Sequence, residues 1–249
     1  MTILTVGIDL AKSVFALHGV NEAGKPELLQ PRVPRAKLHA LVAALPPCTI
    51  GIEACSGAHH WARLFTAQGH TVRLIAPKFV APYRMSGKRG KNDAADAAAI
   101  CEAVQRPHMR FVPAKSLEQQ SRLMVHRARQ GFVEQRTATL NRIRGLLSEF
   151  GIVLPLKAAT VRQRACECLE DLPGYANTVI GDLLSEVSRL DERITQYDRH
   201  TQAMARDDAR AKQLMRLSGI GATTATCLLA MIGNGHEFDC GRQFAAWLG

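Results

Sequence analysis

Two aspartates, Asp93 and Asp96, stand three residues apart in the alanine-rich run KNDAADAAAI. Alanine favours helix, and aspartate inside a helix gains nothing by propensity, so the pair asks for another explanation. At i, i+3 on a helix the two carboxylates point the same way and repel. A positive group is expected between them: an arginine or lysine, with Lys88, Arg89 and Lys91 just upstream, or a divalent metal ion. Two more acids end apolar runs, Asp9 in VGID and Glu53 in IGIEA. Either alone is most simply a cap or turn residue. Together the four spell D…E…D-x-x-D, and four acids converging in a basic protein need cations to neutralise them. Hard divalent ions such as Mg²⁺ or Mn²⁺ take carboxylate oxygens and leave room for phosphate. Two such ions about 4 Å apart activate a nucleophile and stabilise the leaving oxygen of a phosphodiester.

That chemistry requires the strands ending in Asp9 and Glu53 to lie side by side. ILTVGID and VFALHGV read as strands joined by a tight LAKS link, a hairpin, with a weaker strand near residues 28–33. A helix over 37–44 ends at Pro46-Pro47, CTIGIEA is a buried strand, 57–68 is a helix closed by Gly69, and TVRLIA is another buried strand. A hairpin followed by strand–helix alternation predicts an α/β domain, a mixed sheet with helices on both faces. Past Lys115 the pattern turns all-α. One helical run extends to Gly151, weakened by about 1 kcal/mol at each of Gly131 and Gly145. After a break at IVLPLKAA, residues Ile180, Leu183, Val187, Leu190, Ile194, Tyr197, Thr201 and Met204 recur at spacings of three and four. This heptad seam suits a core helix, a coiled coil within the chain, or one between subunits of a homo-dimer or tetramer.

The chain has 249 residues, enough for one large or two moderate domains, and a formal net charge of +10 that points to a polyanionic partner such as nucleic acid. Seven scattered cysteines without paired CxxC units read as reduced thiols of a cytoplasmic protein rather than a disulfide or zinc framework. MTILTVGIDL lacks the basic start of a signal peptide, and no apolar run approaches membrane-spanning length, so no membrane partner is expected.

GIDLAK, GIEACSGAHHWAR, KNDAADA and the later LSGIGATTA…FAAWLG together resemble the DEDD transposases of the insertion-sequence 110/1111 class, in order and over essentially the whole chain. The resemblance implies an RNase H-like (RuvC-like) domain over residues 1–115, a helical coiled-coil linker over 116–207 and a C-terminal transposase domain over 208–249. It also implies bacterial DNA recombination, at the nucleoid, guided by a structured bridge RNA that pairs with donor and target DNA. Carried over by motif, Asp9, Glu53, Asp93 and Asp96 are the metal-binding catalytic tetrad. The family further leads one to expect a serine nucleophile in a small-residue segment after AWLG. No serine here matches it, Ser218 lying too early, so a truncated product that cannot form the covalent serine–DNA intermediate is expected.

Other features point to nucleic acid. Between Arg84 and Arg144 there are thirteen Lys/Arg against five Asp/Glu. Arg122, Arg129 and Arg136, seven residues apart, form a stripe along one helix; solvated coiled-coil flanks look the same, but at this net charge the stripe is expected to follow phosphates. SGKRGK, carrying Lys88, Arg89 and Lys91, reads as a loop near the scissile phosphate. The stretch from Leu214 to Gly233 looks like a helix-hairpin-helix, in which Gly219 and Gly221 allow a tight turn whose amides can cradle a phosphate. Competing readings are a RuvC-like junction nuclease using the same acids, a non-catalytic nucleic-acid-binding fragment, and an actin-like ATPase, for which the further glycine-rich phosphate loops are missing.

Overall fold

A computed structural model describes residues 3–84 and 93–248. They fall into two compact units, residues 1–116 with 236–249, and residues 117–235.

The first unit is built on strands β1 (Thr5–Asp9), β2 (Val14–Val20), β3 (Pro26–Pro34), β4 (Thr49–Glu53), β5 (Thr71–Ile75) and β6 (Phe111–Val112). They form one mixed sheet in the order β3-β2-β1-β4-β5-β6. β1, β3, β4 and β5 run in one direction, while β2, between β3 and β1, and β6, at the far edge, run antiparallel to them. The helices are α1 (Arg35–Ala43), α2 (Ala58–Ala67), α3 (Pro77–Val80) and α4 (Asp93–Val104). The expected hairpin, its mixed sheet and the alternation that follows are all present; the two-residue β6 was too short to leave a pattern.

Strand side chains alternate between the faces of a sheet. On one face Val6, Ile8, Ile50, Ile52 and Leu74 join Leu38, Val42, Trp61 and Phe65 of α1 and α2 in a single core. There Phe15 meets Trp61 edge to face and Trp61 stacks on Phe65, with ring centroids 5.5 and 5.4 Å apart, each burial contributing roughly 1.5–3 kcal/mol. The odd-numbered residues of β1 and β4 face the other way, towards α4, where Ile100, Ala103 and Val104 pack with Ile75 and Val80.

The second unit is helical: α5 (Leu117–Ser148), α6 (Ala158–Glu167), α7 (Gly174–Asp207), α8 (Ala209–Leu214) and α9 (Ala222–Ile232). One more helix, α10 (Gly241–Leu248), groups with the first unit. α6 overlaps the end of the stretch read from sequence as a break. Leu140, Ile143 and Leu147 of α5 bury against Val161 and Ala165 of α6 and Ile180 and Val187 of α7. Along α5, Arg129 meets Asp198 and Arg136 meets Asp191, so later residues of one helix face earlier residues of the other and the pair is antiparallel. The heptad seam is spent on this packing: Ile180, Val187, Leu190, Ile194 and Thr201 are buried within the single chain. Those positions are therefore closed to a second subunit, which would need another surface. Among the described residues no helix is long and apolar enough to cross a membrane. All seven cysteines are free thiols.

Candidate active site

β1 and β4 are neighbours in parallel register, with Thr5 opposite Thr49 and Gly7 opposite Gly51. Two residues further on, both strands end in an acid. Asp9 and Glu53 share the parity of Gly7 and Gly51, so both emerge on the face that carries α4, at the carboxyl end of the sheet. The apolar runs fix this outcome, because slipping either strand by one residue would turn its core side chains outward.

Glycine at 7 and 51 lets α4 lie against the strands. A Cβ on Gly7 would stand 2.2 Å from the Ala97 carbonyl oxygen and 2.4 Å from the Cys101 amide nitrogen. One on Gly51 would stand 2.9 Å from Cβ of Val104. The alanines of DAADAAAICEAV serve the same approach from the helix side, which explains the alanine richness better than propensity does. This contact carries the first turn of α4, with Asp93 and Asp96, to the sheet end that bears Asp9 and Glu53. Asp96 is buried and Asp93 is exposed.

A cation does stand among these acids, and it is Arg84. Its Nε donates to Asp96 Oδ1 at 2.8 Å, and its Nη2 donates to both Glu53 carboxylate oxygens at 3.2 Å. Sequence reasoning looked to Lys88, Arg89 and Lys91, which lie outside the described residues, and missed Arg84. Its place just after the 3₁₀ turn Ala81–Tyr83 is set by chain folding, with no motif to mark it.

One guanidinium does not balance the cluster. The Asp9 carboxyl is pushed up from 3.8 to about 6, first by burial and then by the negative charges of Asp96, Asp93 and Glu53, against a smaller opposing pull from Arg84. The Cys55 thiol is also raised, by burial and then by Glu53 and Asp9. The four acids thus share one field of negative potential. Among the described residues, no three His, Cys, Asp or Glu side chains are already grouped closely enough to hold a metal ion. With Arg84 in their midst, they are spread around a guanidinium instead.

The arginine stripe of α5 is engaged within the protein. Arg122 pairs with Asp208 at 2.9 Å and Glu118 at 2.7 Å, Arg129 with Asp198 at 2.6 Å, and Arg136 with Asp191 at 2.9 Å. Arg162 shares Asp191. Contact of this stripe with phosphates would require those carboxylates to be given up. Asp208 is held well below the usual carboxylate range by hydrogen bonds from Arg210 and Arg122, and it caps α8 by accepting from the Arg210 amide. Gly219 has φ +86°, the left-handed geometry of a tight turn between α8 and α9. Gly221 is extended and begins α9 with no side-chain cap. Both are exposed.

Comparison with known proteins agrees over the whole chain. A family profile described as Transposase (DEDD_Tnp_IS110) matches residues 6–152, and one described as Transposase IS116/IS110/IS902 family matches residues 211–249. A Pseudomonas aeruginosa protein named "Probable family 20 transposase" is 42% identical over 254 residues, covering 100% of this chain and 74% of the relative. The transposase for insertion sequence element IS1328 of Yersinia enterocolitica is 37% identical, covering 98% of this chain and 72% of the relative. The transposase for insertion sequence element IS1111A of Coxiella burnetii is 36% identical, covering 98% and 67%. With a strand-end pair of acids, a helix-borne second pair and these relatives, the chain belongs to the IS110-type family of DEDD transposases.

Proposed function

We propose that the chain supplies the metal-dependent acid site of a recombinase that cleaves and exchanges DNA strands for an insertion sequence, directed by a structured bridge RNA, with the expected serine step outside the residues present. What supports this reading is the Arg84 guanidinium bridging Glu53 and Asp96 at the sheet end that also bears Asp9, whose carboxyl is raised by burial and by its acidic neighbours. An RNase H-like assignment of residues 1–115 is supported by a central β1 in an antiparallel β1-β2-β3 meander on one side and with parallel β4 and β5 on the other. Residues 116–207 then act as the helical linker, and 208–249 belong to the transposase domain. Assembly into a dimer or tetramer falls to a surface other than the buried seam.

The donor set fits a hard divalent cation, being oxygen ligands only, and the guanidinium between Glu53 and Asp96 marks where positive charge is wanted. Asp9, Glu53, Asp93 and Asp96 would hold Mg²⁺ or Mn²⁺, which would supply activation of the attacking oxygen and stabilisation of the leaving oxygen of the phosphodiester. The chain's own groups do the positioning. Gly7 and Gly51 keep α4, and so Asp96, close to the strand ends. Arg84 orients Glu53 and Asp96 and, being partly exposed, is free to exchange a carboxylate for a phosphate oxygen.

Calorimetric titration of Mg²⁺ and Mn²⁺ into the native chain and Asp96→Asn, alone and with insertion-sequence-end DNA and RNA bound, tests the reading. Binding by the native chain that Asp96→Asn loses is the expected result. No difference between the two with nucleic acid present would remove the metal site and the mechanism with it.

A further inference from the structure

A cavity of about 700 Å³ opens in the helical unit where the end of α7, α8 and the start of α9 meet. Arg199, Arg206, Lys212 and Arg216 line it, over a floor that includes Met215 and Ala222. No carboxylate is among its lining residues. All four cations are exposed, and none has an ion pair among the described residues. Elsewhere in the same unit Arg122, Arg129, Arg136, Arg162, Arg189 and Arg210 each have a carboxylate partner, while others such as Arg142 and Arg164 have no ion pair among the described residues; the four cations here differ in gathering around one cavity.

Arg199 and Arg206 lie two turns apart on one face of α7, a spacing that follows an extended anion better than a single small one. Lys212 and Arg216 approach from α8 and the turn after it. Ala222, also at the cavity, is the first residue of the 11-residue α9, whose first-turn amides lack a side-chain cap and carry the positive end of the helix dipole. Four like charges around one concavity repel, and that repulsion is relieved when a polyanion enters. Arginine's planar fork suits phosphate oxygens, and the short apolar floor suits the carbon face of a sugar.

We infer that this cavity binds the sugar–phosphate backbone of a nucleic-acid strand, with Arg199, Arg206, Lys212 and Arg216 on consecutive phosphates. The inference rests on the nucleic-acid reading of the chain and adds a site that neither the acid tetrad nor the α5 stripe supplies.

Fluorescence anisotropy across a series of KCl concentrations tests it, with a labelled DNA duplex and a labelled structured RNA as separate arms. The chains compared are native, Arg206→Gln/Arg216→Gln, and Lys25→Gln/Arg142→Gln, which removes the same charge at exposed positions away from the cavity. The cavity variant should weaken binding about 10-fold or more at ~0.1 M salt and lower the slope of log K against log salt by about 1–2 in at least one arm. The arm that responds identifies the strand, DNA or RNA. The control variant should shift less than half as much. A cavity variant indistinguishable from the control in both arms would overturn the inference and leave the catalytic reading intact. A native chain that binds neither probe would overturn both. Loss of polyglutamate binding with nucleic-acid binding unchanged would reassign the cavity to an acidic protein.

Discussion

At the sheet end of the first unit, one arginine serves two carboxylates and Asp9 and Asp93 have no ion pair among the described residues; along α5 of the helical unit, each stripe arginine meets a carboxylate, Asp208 and Asp191 being shared with Arg210 and Arg162. The residue types are the same, and the balance differs. Where acids and bases pair, as between α5 and α7, the pairs fix the register of two antiparallel helices and leave little potential for a ligand. Where one sign is in surplus, the fold has spent stability to hold like charges together, and a ligand of opposite sign recovers it. Among the described residues, the acids around Arg84 are a surplus of one sign, and the cavity around Arg206 is a surplus of the other.

The largest expected effect separates the two regions through a single substitution type. Gly7→Ala would drive a methyl into backbone atoms of α4 that cannot rotate away, costing about 3 kcal/mol and moving Asp96 off Arg84. Gly131→Ala in α5, with nothing within 4 Å of the added carbon, should instead stabilise by roughly 0.5–1 kcal/mol. Urea unfolding of both variants checks the contrast, which breaks if the two changes have the same sign.

A smaller effect sharpens the electrostatic half of the comparison. The folded Asp9 carboxyl sits near 6, above its ordinary 3.8, so its stability is complete below about pH 4 and is lost as pH rises through about 6. Asp9→Asn should therefore stabilise the metal-free chain at pH 7 by ~1–2 kcal/mol, allowing for solvent screening, with the gain vanishing near pH 4. Thermal unfolding across that range, in the presence of a chelator, measures it. Destabilisation at pH 7 would mean that the four acids are already balanced.

The smallest effect belongs to the matched pairs. Arg129→Ala should cost about 0.5–1 kcal/mol, less at high salt, and leave the salt slope of nucleic-acid binding unchanged. A slope lowered by about 1 would show that this stripe exchanges its carboxylates for phosphates after all.

Much of the site was legible because its positioning is local. A five-residue apolar run fixes strand, face and exit point for Asp9 and again for Glu53, and an i, i+3 spacing on a helix places Asp93 and Asp96 together. The seam of α7 was equally plain, yet its partner was not. Heptad spacing defines a sticky face without saying whether a second copy or α5 of the same chain will cover it, and the intramolecular helix prevailed. The pairing of Arg122, Arg129 and Arg136 was hidden for a related reason: a sequence shows where charges lie along one helix, and their partners Asp208, Asp198 and Asp191 come from residues far along the chain.

By itself, then, the sequence determined the hairpin-led sheet, the helical second half, the four acids and their order, since each depends on periodicity or spacing over fewer than ten residues. Tertiary structure alone decided which cation enters the acid cluster, how Gly7 and Gly51 bring α4 onto the strands, and which arginines stay unpaired. Those outcomes depend on distances between segments far apart in the chain, and a distance of that kind is fixed only when the packing is.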